Sequence, residues 1–212
     1  MKKLLLLLLL MICIISCKDD QKQKAADTQN EIESEQNNET QNPNTNNVDR
    51  ANSSSKLTNV DLNKEVENFI ICKKAATERN DCRNSITKVI TKAFGLTEFN
   101  DQKLGYMVYD SIRPIAARSR NWLQLGSVNQ ETIDQALAHA NRGGLALIID
   151  TAETYGHVVM IVPGESKKSG SWEMSLPNVL SLTNYKPEKS FSNKSLSYAM
   201  KKSDDLKIFI RQ

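Results

Sequence analysis

The residues of this 212-residue chain best suited to nucleophilic chemistry are four cysteines and two histidines. Cys13 lies in an apolar leader and Cys17 directly follows it, which leaves Cys72 and Cys82 for a folded part. Cys82 lies in "NDCRNSITKVITKAFG", Asn80 to Gly95, which reads as one short helix. Asp81 is a good capping residue, so Cys82 is expected as the first helical residue. Unsatisfied backbone N–H groups and the positive end of the helix dipole favour a thiolate there, and the thiolate is the attacking species. The same N–H groups, that of Cys82 included, would suit a developing oxyanion. Cys72 lies mid-helix between Ile71 and Ala75 and reads as a small buried side chain.

A nucleophilic cysteine needs a base. His139 falls beside the apolar stripe of a later helix and reads as a surface or boundary residue. His157 opens the apolar run "HVVMIV" directly after Gly156, 75 residues beyond Cys82. A histidine at a sheet end, on the face of Val159 and Ile161, is the better candidate. A different reading pairs the two thiols. Outside the cytoplasm, Cys72 and Cys82 suit a disulfide that staples a helical hairpin turning at "TERND".

The elements that must position these residues follow from composition and period. Lys2 and Lys3 precede an apolar run, Leu4 to Ile15, with the length of a secretory leader and too short to span a bilayer. It ends in "IISC", which resembles a bacterial lipobox. That resemblance implies cleavage after residues 1–16 and lipid on Cys17, hence a membrane anchor. "CKDD" is similar to the surface-export signal of Bacteroidetes lipoproteins. An outer-membrane lipoprotein is expected, displayed on the surface or facing the periplasm.

Loss of the leader removes two lysines and no acids, so the net charge of +3 falls to +1. With no clustered basic face, nothing points to a nucleic-acid partner. Residues 17–58 are rich in Asn, Gln, Glu, Ser and Thr and lack Phe, Trp and Tyr. Such a segment cannot bury enough apolar area to offset chain entropy and reads as a disordered tether.

Residues 59–212 are long enough for one sizeable core. Leu62, Val66, Phe69 and Ile70 predict a helix capped by Asp61, and Ile86, Val89, Ile90, Ala93 and Phe94 a second that Gly95 ends. A third is expected over Asp101 to Ser111, with Leu104, Met107 and Val108 inward and Pro114 ending or kinking it. A fourth begins at Ser127, with Gln130 at capping-box spacing, carries Ile133, Ala136, Leu137 and Ala140, and stops at "RGG". The period then shortens. "LALIID", "HVVMIV", "SWEMSL", "NVLSLT", "SLSYAM" and "LKIFIR" read as strands, with "TAETYG" as a turn between the first two. Helices followed by strands at hairpin spacing argue for an α+β domain with an antiparallel sheet.

"NDCRNSITKVITKAFGL" followed by "GHVVMIVPG" resembles the papain-like cysteine amidases of bacterial cell walls. These are the NlpC-type peptidases and, closer, the amidase effectors delivered by type VI secretion. "ANRGGLALIID", "SWEMSLPNVLSL" and "NKSLSYAM" extend the likeness from Asp81 to the C-terminus. The resemblance implies a papain-like fold, with Cys82 as nucleophile and His157 as general base and then acid. A third polar residue orients the imidazole: Ser181, near the family's position, or Asn178. The implied substrate is the stem peptide of peptidoglycan. Arg83 stands where many members have a small residue, and could hold a substrate carboxylate or depress the thiol pKa. It could equally mark a non-catalytic relative. Trp122, in "NWLQLG", is a candidate for the cleft wall or for core packing. No metal or organic cofactor is implied, and no His/Cys/Asp cluster has ligand spacing.

Three functions stay open on the sequence. The first is a lipid-anchored cysteine amidase, with a cognate immunity protein as partner if it is a toxin. The second is a non-catalytic surface or periplasmic binding lipoprotein with a Cys72–Cys82 disulfide; an obligate bridge would exclude the amidase. The third keeps the Cys–His pair on another acyl group, as an acyltransferase or a peptidase acting on protein. Surface display would aim an amidase at a neighbour's wall or at shed fragments, whereas the periplasmic face suits remodelling.

Overall fold

The computed structural model describes residues 56–57, 60–78, 81–154 and 156–212, all within the compact unit Asn46–Gln212. The leader, Cys17 and all of the tether up to residue 55 lie outside the described residues. Residues 56–57, assigned to the tether from composition, form a short strand β1 (Lys56–Leu57) that pairs with β2 (Val60–Asp61).

The fold is α+β, and each face of its sheet is covered by helix. Helix α1 (Leu62–Ala75) starts as expected: the Asp61 carboxylate accepts from the N–H groups of Asn63 and Lys64, satisfying two orphan donors. Its Leu62, Val66 and Phe69 are buried. Helix α2 (Ser85–Phe94) ends at Gly95, whose φ of 64° lets its N–H reach the Thr91 carbonyl.

The helix expected over Asp101 to Ser111 does not form. Asp101 accepts from the N–H groups of Lys103 and Leu104, and Gly105 takes a positive φ. These contacts close a turn between β3 (Asn100–Asp101) and β4 (Gly105–Tyr106), and Leu104 is exposed rather than inward. Aspartate's side chain competes with helix by bonding nearby backbone. A single helical turn at Tyr109–Ser111 leads into α3 (Ile112–Arg118). Pro114 therefore lies in the first turn of a helix, where its missing N–H costs nothing, instead of ending one.

Strand β5 (Trp122–Ser127) interrupts what read as a wholly helical half. Ser127 consequently belongs to a strand, and the cap of α4 (Gln130–Asn141) is Asn129. Its side chain accepts from Thr132 N, and Thr132 Oγ1 accepts from Asn129 N. Ile133, Ala136, Leu137 and Ala140 are buried. His139 is half-buried at the helix edge, and a side chain at Gly144 would collide with its ring.

The remaining strands are β6 (Ala146–Asp150), β7 (Val158–Ile161), β8 (Lys167–Ser169), β9 (Met174–Leu176), β10 (Asn178–Ser181), β11 (Phe191–Ser195) and β12 (Leu206–Arg211). Six of the strands form one sheet in the order β11-β10-β7-β6-β12-β5 with every pairing antiparallel. "SLSYAM" is a turn of 3-10 helix at Leu196–Tyr198, not a strand. Leu196 and Met200 are buried in the α4 layer while Tyr198 between them is exposed, which breaks strand alternation, and the N–H groups of Ala199 and Met200 both donate to the Leu196 carbonyl.

Alternation along the strands divides the core into two layers. Leu147, Ile149, Val158, Met160, Leu180 and Phe209 face α1, α2 and α3. Ala146, Ile148, Val159, Ile161, Val179 and Ile208 face α4. Each fully buried Leu or Ile contributes ~1.5–3 kcal/mol of transfer free energy, so these layers hold the sheet end that carries His157. Among the described residues no helix is long and apolar enough to cross a membrane.

Candidate functional site

Cys82 lies in the turn before α2, three residues short of the first helical residue. The expected cap does not operate as such. The Asp81 carboxylate accepts from Thr77 N and Glu78 N and so closes the preceding turn. Asn84 occupies the position before α2, with no side-chain cap bond. Cys82 itself takes φ 63°, a left-handed conformation uncommon for a residue with a Cβ. Its carbonyl accepts from Ser85 N and Ser85 Oγ, which anchors the turn to α2.

The sulfur of Cys82 is joined to Cys72 across a Cα–Cα distance of 6.2 Å. Cys72 is therefore not the buried filler expected from its mid-helix position. It is exposed, one turn beyond the buried Phe69 and at the flank of the apolar stripe of α1, while Cys82 is half-buried and packs on the core.

A cleft of about 390 Å³ opens beside this bridge. Cys82, Arg83 and Ser85 line it from the α2 side, and Asp150, Gly156 and His157 from the loop joining β6 to β7. Leu182, Thr183 and Asn184 close it beyond β10. The cysteine and the histidine chosen from sequence thus meet in one cavity, although 75 residues separate them.

His157 is half-buried and immediately precedes β7. Its Nε2 lies 2.8 Å from Ser181 Oγ, and Ser181 is fully buried on β10. Of the two candidate orienting residues, Ser181 contacts the ring; Asn178 donates to Asn193 Oδ1 instead. Desolvation lowers the His157 pKa to about 4, against a smaller opposing pull from the Asp150 charge. The ring is therefore neutral at neutral pH, as a proton acceptor must be.

Asp150 is a residue the sequence reading missed. It ends β6, its N–H donates to the His157 carbonyl, and its side chain accepts from Ala152 N. The signal was the acid closing "LALIID" opposite a histidine that opens the next strand. Gly156 completes the junction: a Cβ there would stand 1.8 Å from the Asp150 carbonyl oxygen. Only glycine permits that approach.

Arg83 borders the cleft, but its guanidinium pairs with Asp110 and lies 5.0 Å above the Tyr109 ring. Its carbonyl accepts from Tyr109 N. This residue thus ties the Cys82 turn to the segment before α3, and its charge is already countered. Trp122 does not line the cleft. It is buried on β5, donates from Nε1 to Glu98 Oε1 at 2.8 Å, and meets Phe99 edge to face. Among the described residues, no group of three or more His, Cys, Asp or Glu could hold a metal ion.

The chain matches no protein-family model, and no curated protein sequence matches it significantly.

Proposed function

We propose that this chain is a lipid-anchored cysteine amidase of papain-like, NlpC-type architecture that cleaves amide bonds in peptidoglycan stem peptides once Cys82 is reduced. The observation that carries the reading is the shared cleft of Cys82 and His157, with Ser181 on the far nitrogen of the ring. The order of elements supports it: helices bearing the thiol come first, and an antiparallel sheet bearing the base follows. The substrate class and the lipid at Cys17 rest on the sequence resemblance.

Neutral His157 would take the Cys82 proton, and the thiolate would attack the amide carbonyl. The imidazolium would then protonate the departing amine, leaving a thioester. Water, activated by the imidazole, would hydrolyse it and restore the thiol. Ser181 would hold the ring so that its other nitrogen faces the cleft. The test is digestion of defined muropeptides under reducing conditions by the wild-type chain, Cys82→Ala and His157→Ala. Cleavage by wild type alone is expected; activity that survives Cys82→Ala would overturn the mechanism.

A second reading, a non-catalytic binding lipoprotein, is favoured by the bridge itself, which occupies the candidate nucleophile. It predicts muropeptide binding by calorimetry with and without reductant, and cleavage in neither state.

A further inference from the structure

We propose that the Cys72–Cys82 bridge is a latch opened by a dithiol reductant, which attacks Cys72 from solvent and releases Cys82 as a free thiol in the cleft of His157. This inference rests on the reading of Cys82 as the nucleophile. Three observations carry it.

The two sulfurs belong to different environments. Cys72 is exposed on α1, whereas Cys82 is half-buried, packs on the core and lines the cleft. Exchange goes through the sulfur an incoming thiolate can reach, and accessible bridges are the labile, regulatory ones. Attack at Cys72 makes Cys82 the leaving group, so the exposed sulfur takes the adduct and the inner one becomes free.

The bridge also closes on the residue read as the nucleophile. A staple for the α1–α2 hairpin needs only two positions within disulfide reach, as Cys72 and Cys82 are at a Cα–Cα distance of 6.2 Å, and it need not involve a cleft residue. This one consumes the thiol that shares the cleft with His157 and thereby couples the oxidation state of the hairpin to the state of the cleft.

The hairpin, finally, has other fastenings. Lys73 Nζ donates to the Asp81 carbonyl at 2.8 Å, and the Asp81 carboxylate accepts from Thr77 N and Glu78 N. Val66 and Phe69 pin α1 to the core, and Arg83 is tied to Tyr109 and Asp110. Opening the bridge therefore leaves the turn in place and the freed thiol in the cleft.

The exchange balances as follows. The first thiolate of the dithiol bonds to Cys72 Sγ while the Cys72–Cys82 bond breaks, and the electron pair leaves on Cys82. The second thiolate of the reductant then displaces Cys72, so the reductant departs as a disulfide. Two electrons pass to the protein, and the two thiols take up protons according to their pKa values.

The test uses the full, oxidised chain. Brief exposure to glutathione, quenching with iodoacetamide and peptide mass spectrometry locate the adducts, while near-UV circular dichroism follows the fold. Glutathione on Cys72 and carbamidomethyl on Cys82 in the native fold are expected. Glutathione mainly on Cys82, or no adduct until urea unfolds the chain, overturns the latch. In parallel, muropeptides are digested by oxidised wild type, dithiothreitol-reduced wild type and Cys72→Ser without reductant. Reduced wild type and Cys72→Ser should cleave at equal rates, and oxidised wild type no faster than Cys82→Ala. Measurable cleavage at equal rates by oxidised and reduced wild type also overturns the latch. The expected adducts with no cleavage in any sample overturn the amidase and leave the latch standing.

Discussion

His157 turns Nε2 onto the hydroxyl of Ser181 at 2.8 Å, across the pairing between β7 and β10 that sets Ser181 opposite Val159. The hydroxyl is wholly buried. Its contact is therefore the imidazole rather than a ligand, and it occupies one of the two ring nitrogens. Ser181→Ala removes that partner and leaves a ring nitrogen unsatisfied in an enclosed place. Stability should fall by ~1–2 kcal/mol in urea unfolding. On the proposed activity, kcat of the reduced chain should fall roughly five- to tenfold, equivalent to one lost hydrogen bond, with KM little changed. An unchanged kcat would remove Ser181 from the site.

Acid should weaken the fold through the same histidine. Unfolded, His157 takes a proton near pH 6.5; folded, burial delays this to about 4. Between those values the unfolded chain binds more protons, so stability rises with pH and is lost as pH falls through the window. Full burial would make the loss ~3 kcal/mol, and the ring's partial exposure brings it nearer ~2 kcal/mol. Urea midpoints from pH 4 to 7 should flatten in His157→Gln relative to wild type. Parallel curves would refute the assignment.

The bridge spans ten positions, and so short a loop stabilises by about 2–3 kcal/mol in the chain-entropy account. Cys72→Ser should lose that much under oxidising conditions. In dithiothreitol the variant and the wild type should unfold at the same urea concentration. A gap of more than ~1 kcal/mol that persists in reductant would mean Cys72 contributes by packing, contrary to its exposure.

Gly156→Ala places a methyl carbon 1.8 Å from the Asp150 carbonyl oxygen. Backbone meets backbone there, so no rotamer change relieves the overlap. Thermal unfolding should show a loss of at least ~2 kcal/mol, and the His157 ring should lose its place against Ser181. A wild-type melting temperature would mean that the β6–β7 junction adjusts freely.

Trp122→Phe keeps most of the ring and deletes the donor to Glu98. The expected cost is ~1 kcal/mol of stability with KM for any muropeptide unchanged. A raised KM at full stability would return Trp122 to the cleft wall.

Much of the scaffold was legible along the chain. The caps at Asp61 and Gly95 use local chemistry, and the buried faces of α1, α2 and α4 follow the 3.6-residue period. "LALIID", "HVVMIV" and "LKIFIR" are apolar enough to read as strands without knowing their partners. The failures share one cause: a local pattern with two readings. Leu104, Met107 and Val108 fit a helical period, but Asp101 and Gly105 close a turn. "SLSYAM" alternates like a strand, yet Tyr198, which alternation would bury with Leu196 and Met200, is exposed. Ser127 and Asn129 both precede α4 at capping distance, and the pairing of β5 with β12 claims Ser127 for the sheet.

The sequence by itself determined an α+β domain and the two residue types the proposed chemistry needs, Cys82 ahead of a helix and His157 at a strand entrance. Those follow from near-neighbour preferences written into a few consecutive residues. Only the tertiary structure decided how they are used. It set the cysteine in a left-handed turn bridged to an exposed partner, chose Ser181 over Asn178, and brought Asp150 to the cleft while taking Trp122 away. Each of these depends on strand register and helix placement, which are fixed by burying two apolar layers at once, and no short stretch of chain encodes that.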